Sequence, residues 1–403
     1  MRYIFVADDF TGASDTLATL RRAGLKARLY LTAPSCEEVA DLDAFGIATA
    51  ARSMDQQALA TEMQRIGHQL LPHQPDILHL KVCSTFDSSP DTGNIATAVT
   101  ALSAQLKPAT TLIVGGQPSL GRYCVFGNLF AKSADGQIYR IDRHPVMQQH
   151  PVTPMLEADL RRHFSAMGLA NINLLDRITL HTDAAAPSAP VLCDALDNHD
   201  LKRIGERFRH ALKPQLWVGA SSVVEALYPN AHTIEPPSSL PGPLLVFAGS
   251  RSSVTAAQVA ATSRMVKVTI SARQLATHSH AEYEQILRHL REGKATLAVL
   301  DEDTTHGLTA LEIAQHCAKL IASLIHSNSI DTLLVAGGDT SSLAIHQLRP
   351  QSIDYLGPLE AGVSVCGANF ADGHQLPVIM KGGQMGSVTL FDSVCALTCH
   401  NDK

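Results

Sequence analysis

Two adjacent carboxylates, Asp8 and Asp9, stand at the end of an apolar run (residues 3–7, YIFVA) and just before Thr11, Gly12 and Ser14. Carboxylates beside hydroxyls can bind a polyol, hold a magnesium ion or take a proton from an alcohol. The same residues also suit an acidic turn ahead of a capped helix, and the residue types leave these readings open. A second polar stretch, Lys81-Val82-Cys83-Ser84-Thr85-Phe86-Asp87-Ser88, puts a cation, a carboxylate and hydroxyls in one loop. A small polyhydroxy acid needs that mixture, a cation such as Lys81 for its carboxylate and Ser84 or Asp87 for its hydroxyls. A solvated polar turn would look similar. Arg122, after Gly121, is a second cation or a surface charge. His144, His150 and the run 150–155 (HPVTPM) show no zinc spacing such as H-E-x-x-H, so they read as loop anchors or substrate contacts.

Later in the chain three apolar runs each end in glycines and hydroxyls: LLVFAGSRSS from 244, TLLVAGGDTSS from 332 and PVIMKGGQMGS from 377. A helix that opens after such a turn presents free N–H groups and a positive dipole end, and glycine lets a phosphate approach that backbone. Ser250 and Thr340 add hydroxyl donors, and Lys381 can add a charge. Single turns of this kind are often only structural, but three of them suit an anion or nucleotide site. There is no GxxxxGK[ST], and no G-x-G-x-x-G ahead of an acidic ribose reader, so neither familiar phosphate loop is present.

The elements that must position these residues alternate strand-like and helix-like segments. Residues 3–7 read as a buried strand, with Thr11 and Ser14 as candidate N-caps for a helix over 15–22 that stops at Gly24. Further strands are expected over 26–31, 45–50, 76–82, 110–115, 172–175, 190–193 and 215–219, with helical spacing over 55–71. A loop is expected over 116–127, and 131–155 reads as an irregular surface excursion. The stretch 232–243, HTIEPPSSLPGP, has five prolines or glycines among twelve residues and cannot carry a helix or an interior strand. Beyond it strands are expected over 244–248, 266–270, 296–301, 332–336 and 377–380, with helices near 254–263, 281–291, 309–327 and 341–348 and a last one before 397. The pattern predicts an α/β protein of two domains, 1–231 and 244–403 joined by the linker 232–243, each a mostly parallel sheet flanked by helices.

Composition narrows the function. The 403 residues are 45% hydrophobic and 17% charged, with a formal net charge of −6 and 5% aromatics. An acidic chain without a basic face or aromatic platforms argues against nucleic acid as partner. No apolar run approaches the roughly 18 residues of a membrane span, and the start MRYIFVADDF turns acidic where a secretory signal would continue. Eight scattered cysteines without a C-x-x-C pair fit reduced thiols, and a cytoplasmic protein is expected. Cys395, Cys399 and His400 make only a fragment of a zinc site. A homodimer is compatible with the chain, which does not define an oligomeric state.

Taken in order, ADDFTGASD (7–15), KVCSTFDSSPDTGN (81–94), GR (121–122), HPVTPM (150–155), CDA (193–195), AGS (248–250), AGGDT (336–340) and KGG (381–383) resemble the four-carbon acid-sugar kinase family, over nearly the whole chain. The resemblance implies an N-terminal acid-sugar-binding domain, a C-terminal nucleotide-binding domain and an active site in the cleft between them. It implies ATP-dependent phosphorylation of a terminal hydroxyl on a short sugar acid, with Mg2+ on the phosphates. By that likeness Ser250, Gly337, Gly338, Asp339, Thr340 and Gly383 would touch ATP. Asp8, Asp9, Lys81, Ser84, Asp87 and Arg122 would line the acceptor pocket, Asp9 or Asp8 taking the proton, with Asp9 slightly favoured. The form CSTFDS at 83–88 resembles the 3-oxo-tetronate kinases more than the threonate and erythronate kinases. The long basic segment 139–155 keeps the branched 3-oxo-isoapionate in play as acceptor. Outside the kinases, a metal-dependent lyase could use the acidic half but leaves the glycine turns unexplained, and a metabolite sensor would bind both ligands without consuming either.

Overall fold

Short strands, fully buried at the centre of each sheet, alternate with helices to build two α/β units in the computed structural model, which describes residues 2–133, 135–150, 152–276, 280–301 and 307–398. One unit spans Met1–Thr233 and the other Ile234–Lys403.

The strands of the first unit, in chain order, are β1 (Tyr3–Ala7), β2 (Ala27–Tyr30), β3 (Ala44–Ala48), β4 (Ile77–Lys81), β5 (Thr110–Val114), β6 (Gly116–Gln117), β7 (Arg122–Val125), β8 (Asn128–Lys132), β9 (Ile138–Arg140), β10 (Asn173–Leu175), β11 (Val191–Cys193) and β12 (Gln215–Gly219). The main sheet runs β10-β11-β5-β12-β4-β1-β3-β2, and every pairing in it is parallel. From β1 the chain winds to β2 and β3 on one side, then crosses to β4 and beyond on the other. The order therefore reverses between β1 and β4, and at such a switch point the loops past the strand ends diverge and leave a crevice. Asp8 and Lys81 stand at the carboxyl ends of those two strands.

Close packing holds this centre. Phe5 is fully buried, and a Cβ on Gly46 in the neighbouring strand would lie 2.0 Å from its ring, so only glycine fits there. Ile4, Val6, Ile47, Leu78 and Leu80 belong to the core on one face of the sheet. Truncating a core phenylalanine of this kind costs about 3–5 kcal/mol.

The helix after β1 is Phe10–Arg22, longer at its start than the spacing suggests. Its N-cap is Asp9, not Thr11 or Ser14, and Asp9 Oδ1 accepts from Gly12 N at 2.6 Å. An aspartate directly after the strand already satisfies an orphan N–H, so the helix starts without a further turn. The excursion expected over 131–155 is also more ordered. Strands β6-β7-β8-β9 form a small antiparallel sheet covering much of 116–140. Its hairpin turn uses positive φ at Phe126 (50°) and Gly127 (80°), a signal that Val-Phe-Gly-Asn does not announce.

The second unit continues with β13 (Leu244–Ala248), β14 (Val266–Ile270), β15 (Thr296–Leu300), β16 (Thr332–Ala336), β17 (Ser352–Glu360), β18 (Val363–Asn369) and β19 (Gln375–Lys381). Its sheet runs β17-β18-β19-β16-β13-β15-β14. The pairings from β19 to β14 are parallel, and the hairpin β17–β18 adds an antiparallel edge. That hairpin is missing from the sequence reading because Gly357 and Pro358 interrupt the alternation of β17, where the ladder carries bulges. Here too the order reverses, between β13 and β16, which places Gly249-Ser250 beside Gly337. No helix among the described residues is long and apolar enough to cross a membrane.

Candidate functional site

In the first unit the polar residues at the switch point converge on a group the sequence did not single out. Arg52, in the 3-10 turn Ala51–Ser53 after β3, donates to Asp8 Oδ2 from Nε (3.1 Å) and Nη2 (2.9 Å). Its Nη1 lies 2.9 Å from Asp9 Oδ2. Asp8 and Asp9 are 8% and 9% exposed, and Lys81 is 4% exposed. A Cβ on Gly12 would fall 2.6 Å from both Asp9 Oδ1 and Lys81 Nζ, so the glycine is what lets these two side chains crowd one corner.

The two aspartates are spent differently. Asp9 uses one oxygen to cap the helix and the other to meet Arg52. Asp8 gives Oδ2 to Arg52, whereas its Oδ1 is buried with no hydrogen-bond partner, and so is the hydroxyl of Thr11. Orphaned buried acceptors are costly and rare, and at the mouth of a crevice they mark where a ligand's donors go. Burial raises the Asp8 carboxyl above its ordinary range, Arg52 pulls it down, and Asp9 raises it again, leaving a net rise.

The loop after β4 supplies the opposite wall. Asp87 is 6% exposed and accepts a short hydrogen bond from the Thr85 hydroxyl. Thr153 Oγ1 reaches its other oxygen at 3.5 Å, and His150 Nδ1 takes the Thr153 N–H at 3.0 Å. Burial pushes the Asp87 carboxyl up, but Arg52 and the bonds from Thr85 and Cys83 outweigh it, so it stays below the usual carboxylate range. Burial and Asp87 lift the Cys83 thiol to about 11, which makes it a poor nucleophile. Phe86 sits at φ 54° with its ring buried against Phe164, and Ser88 Oγ lies 3.0 Å from His163 Nε2. The loop is thus held in a conformation it would not choose alone. Ser84 is half-buried on it.

Arg122 and the CDA motif form a neighbouring arrangement. Arg122 lies on β7, donates to the Leu120 carbonyl and keeps a buried Nε without a partner. The cation paired with Asp8 and Asp9 is Arg52. Asp194 is fully buried and accepts from Phe126 N (2.6 Å), Gly127 N (2.9 Å) and Arg177 N (3.2 Å), which pins the hairpin carrying Arg122. His150 is described, Pro151 is outside the described residues, and so are Cys399 and His400 of the zinc fragment.

In the second unit the three glycine turns lie against one another. A Cβ on Gly249 would fall 2.9 Å from Thr340 Oγ1, one on Gly337 3.3 Å from Ser250 N, and one on Gly383 2.3 Å from Ser250 Oγ. Gly337 has φ 128°, open only to glycine, and precedes the helix Gly338–Leu348. That helix starts within the GGDT motif itself, earlier than the apolar spacing shows, and no side chain caps it. Its first N–H groups are available, and nothing lies within 4 Å of a Cβ built on Gly338. Asp339 is exposed beside this opening. An uncapped helix start beside glycine turns has the N–H groups and dipole that suit an anion.

The fold and these two sites define a protein with a sugar-binding half and a nucleotide-binding half. The model of the sugar-binding N-terminal domain matches residues 3–227, that of the nucleotide-binding C-terminal domain matches 245–391, and the chain belongs to this family. It is 30% identical to a 3-oxo-isoapionate kinase of Paraburkholderia graminis, over 97% of this chain and 93% of the relative. It is 28% identical to a 3-oxo-tetronate kinase of Methylobacterium radiotolerans, over 96% of each. Its fold matches crystal structures of proteins from Salmonella typhimurium LT2 (TM-score 0.80, 23% identity, 97% of this chain and 98% of the other) and Haemophilus influenzae (TM-score 0.73, 22% identity, 98% and 100%).

Proposed function

We propose that this protein is an ATP-dependent kinase that phosphorylates the terminal hydroxyl of a short sugar acid, a 3-oxo-tetronate first among the acceptors, to give the 4-phosphate. The observation that carries the reading is the buried, unpartnered Asp8 Oδ1 beside Arg52 and Lys81, in the sugar-binding half of a chain whose relatives are sugar-acid kinases. The relative named for 3-oxo-isoapionate supports that branched acid as the alternative acceptor.

In this reading residues 1–231 hold the acid and 244–403 hold the nucleotide, with 232–243 between them. ATP would supply the phosphoryl group, and Mg2+ would supply neutralisation of its negative charge. Ser250, Gly337, Gly338, Asp339, Thr340 and Gly383 surround the phosphates, and the uncapped helix offers its N–H groups to them. Lys81 and Arg122 draw in the acid's carboxylate, while Ser84, Asp87 and Thr11 take its hydroxyls. Asp8 accepts the proton of the attacking hydroxyl as the new oxygen–phosphorus bond forms and the bond to the ADP oxygen breaks. Asp9, with both oxygens engaged, keeps the turn and Arg52 in place.

The test is ADP release from ATP and Mg2+ with a panel of 3-oxo-tetronates, D- and L-threonate, erythronate and 3-oxo-isoapionate. Turnover with one member establishes class and acceptor together. Silence across the panel in a protein that binds ATP favours a sensor, and turnover of an acid without nucleotide favours a lyase.

A further inference from the structure

Lys381, the last residue of β19, is completely buried, yet its ammonium has no carboxylate among its partners. Nζ donates to Thr255 Oγ1 at 2.9 Å and to the Gly383 carbonyl at 3.3 Å, and it lies 5.9 Å from the Phe391 ring centre. Those neutral groups come from the helix Ser253–Ala261, the glycine turn and the helix Leu390–Thr398. No salt bridge to Lys381 occurs among the described residues. The nearest charged side chain on the last helix, Asp392, is taken by Ser263 and Arg264.

A buried cation without a counter-ion is unstable unless an anion joins it. Its surroundings say where. Gly383 O accepts from Ser252 Oγ (2.5 Å), Thr255 Oγ1 (2.9 Å) and Lys381 Nζ, which anchors the KGG turn against Ser250. The ammonium therefore bonds the same glycine turn that packs on Ser250.

We propose that Lys381 is the buried counter-charge of the nucleotide phosphates, and that the site takes up a proton through it when nucleotide binds at alkaline pH. The proposal rests on the nucleotide occupying these glycine turns. Burial alone draws the Lys381 ammonium down to about 8, so the ligand-free protein loses this charge in the mildly alkaline range. Phosphate nearby favours the charged form, so affinity for nucleotide falls as pH rises past that point.

The experiment is titration calorimetry of the full chain with ADP and with adenosine, at pH 7 and pH 8.5, in buffers of different ionisation enthalpy. Wild type takes up protons on binding ADP at pH 8.5, where the phosphates themselves are fully ionised. Lys381→Met, which fits the same apolar space, weakens ADP roughly 10- to 100-fold at pH 7 and abolishes the proton uptake, leaving adenosine unchanged. Lys381→Arg retains ADP affinity at pH 8.5 without proton uptake. Equal weakening of ADP and adenosine in Lys381→Met, or proton uptake that survives in it, overturns the proposal. Failure of wild type to bind ADP at all removes the nucleotide reading instead.

Discussion

Arg52 holds Asp8 through two donors on one oxygen, Nε at 3.1 Å and Nη2 at 2.9 Å from Oδ2, and leaves Oδ1 buried without a hydrogen-bond partner. This pairing turns an acidic loop into a directed acceptor. A lone pair of adjacent aspartates would repel each other and drift. With the guanidinium between them, one caps a helix and the other keeps a free oxygen.

Asp8→Asn should lower kcat on the order of 10²–10⁴-fold with ADP affinity unchanged. Asp9→Asn should fold normally, because asparagine caps as well as aspartate, and should lose less activity. Steady-state kinetics and ADP titration of both variants check this, and a larger loss in Asp9→Asn would return the proton acceptor to that residue.

Arg52→Met should cost on the order of 10²-fold in kcat by releasing Asp8. Arg52 lowers the Asp8 pKa, so its removal should move the acid limb of the pH–rate profile to higher pH. A limb that stays in place would mean Asp8 does not titrate in the reaction.

Gly338→Val places its side chain where nothing beyond its own helix backbone and chain neighbours lies within 4 Å of Cβ. The melting temperature should therefore change little, while ADP affinity falls at least tenfold. Unchanged affinity would remove this helix start from the nucleotide site. Gly383→Ala differs, since its Cβ would sit 2.3 Å from Ser250 Oγ and must push the two turns apart.

Acid stability should depend on His79, which is fully buried between Tyr3 Oη (2.6 Å) and the Gly219 carbonyl (3.0 Å). Burial lowers its pKa from 6.5 to about 3. Between those values the unfolded chain binds a proton that the native state does not, so stability present above 6.5 is lost as pH falls toward 3. Melting curves from pH 7 to pH 4 should fall less steeply for His79→Gln than for wild type.

The sequence by itself determined the alternation of strands and helices, because apolar runs of four to six residues and glycine stops depend only on local periodicity. It also marked the glycine turns, where a Cβ on Gly249 or Gly383 would meet the hydroxyl of Thr340 or Ser250 and one on Gly337 would approach Ser250 N. The small antiparallel sheet and the β17–β18 edge were not legible, because the turn at Phe126-Gly127 carries no familiar turn signal and bulges break the alternation of β17. Nor was Arg52, an arginine in the unremarkable run Ala51–Ser53, since only the parallel pairing of β3 with β1 carries it to Asp8. Adjacent aspartates look equivalent in a chain. Only the tertiary structure assigned one to a helix end and left the other an open oxygen, because capping geometry and burial are properties of position rather than of residue type.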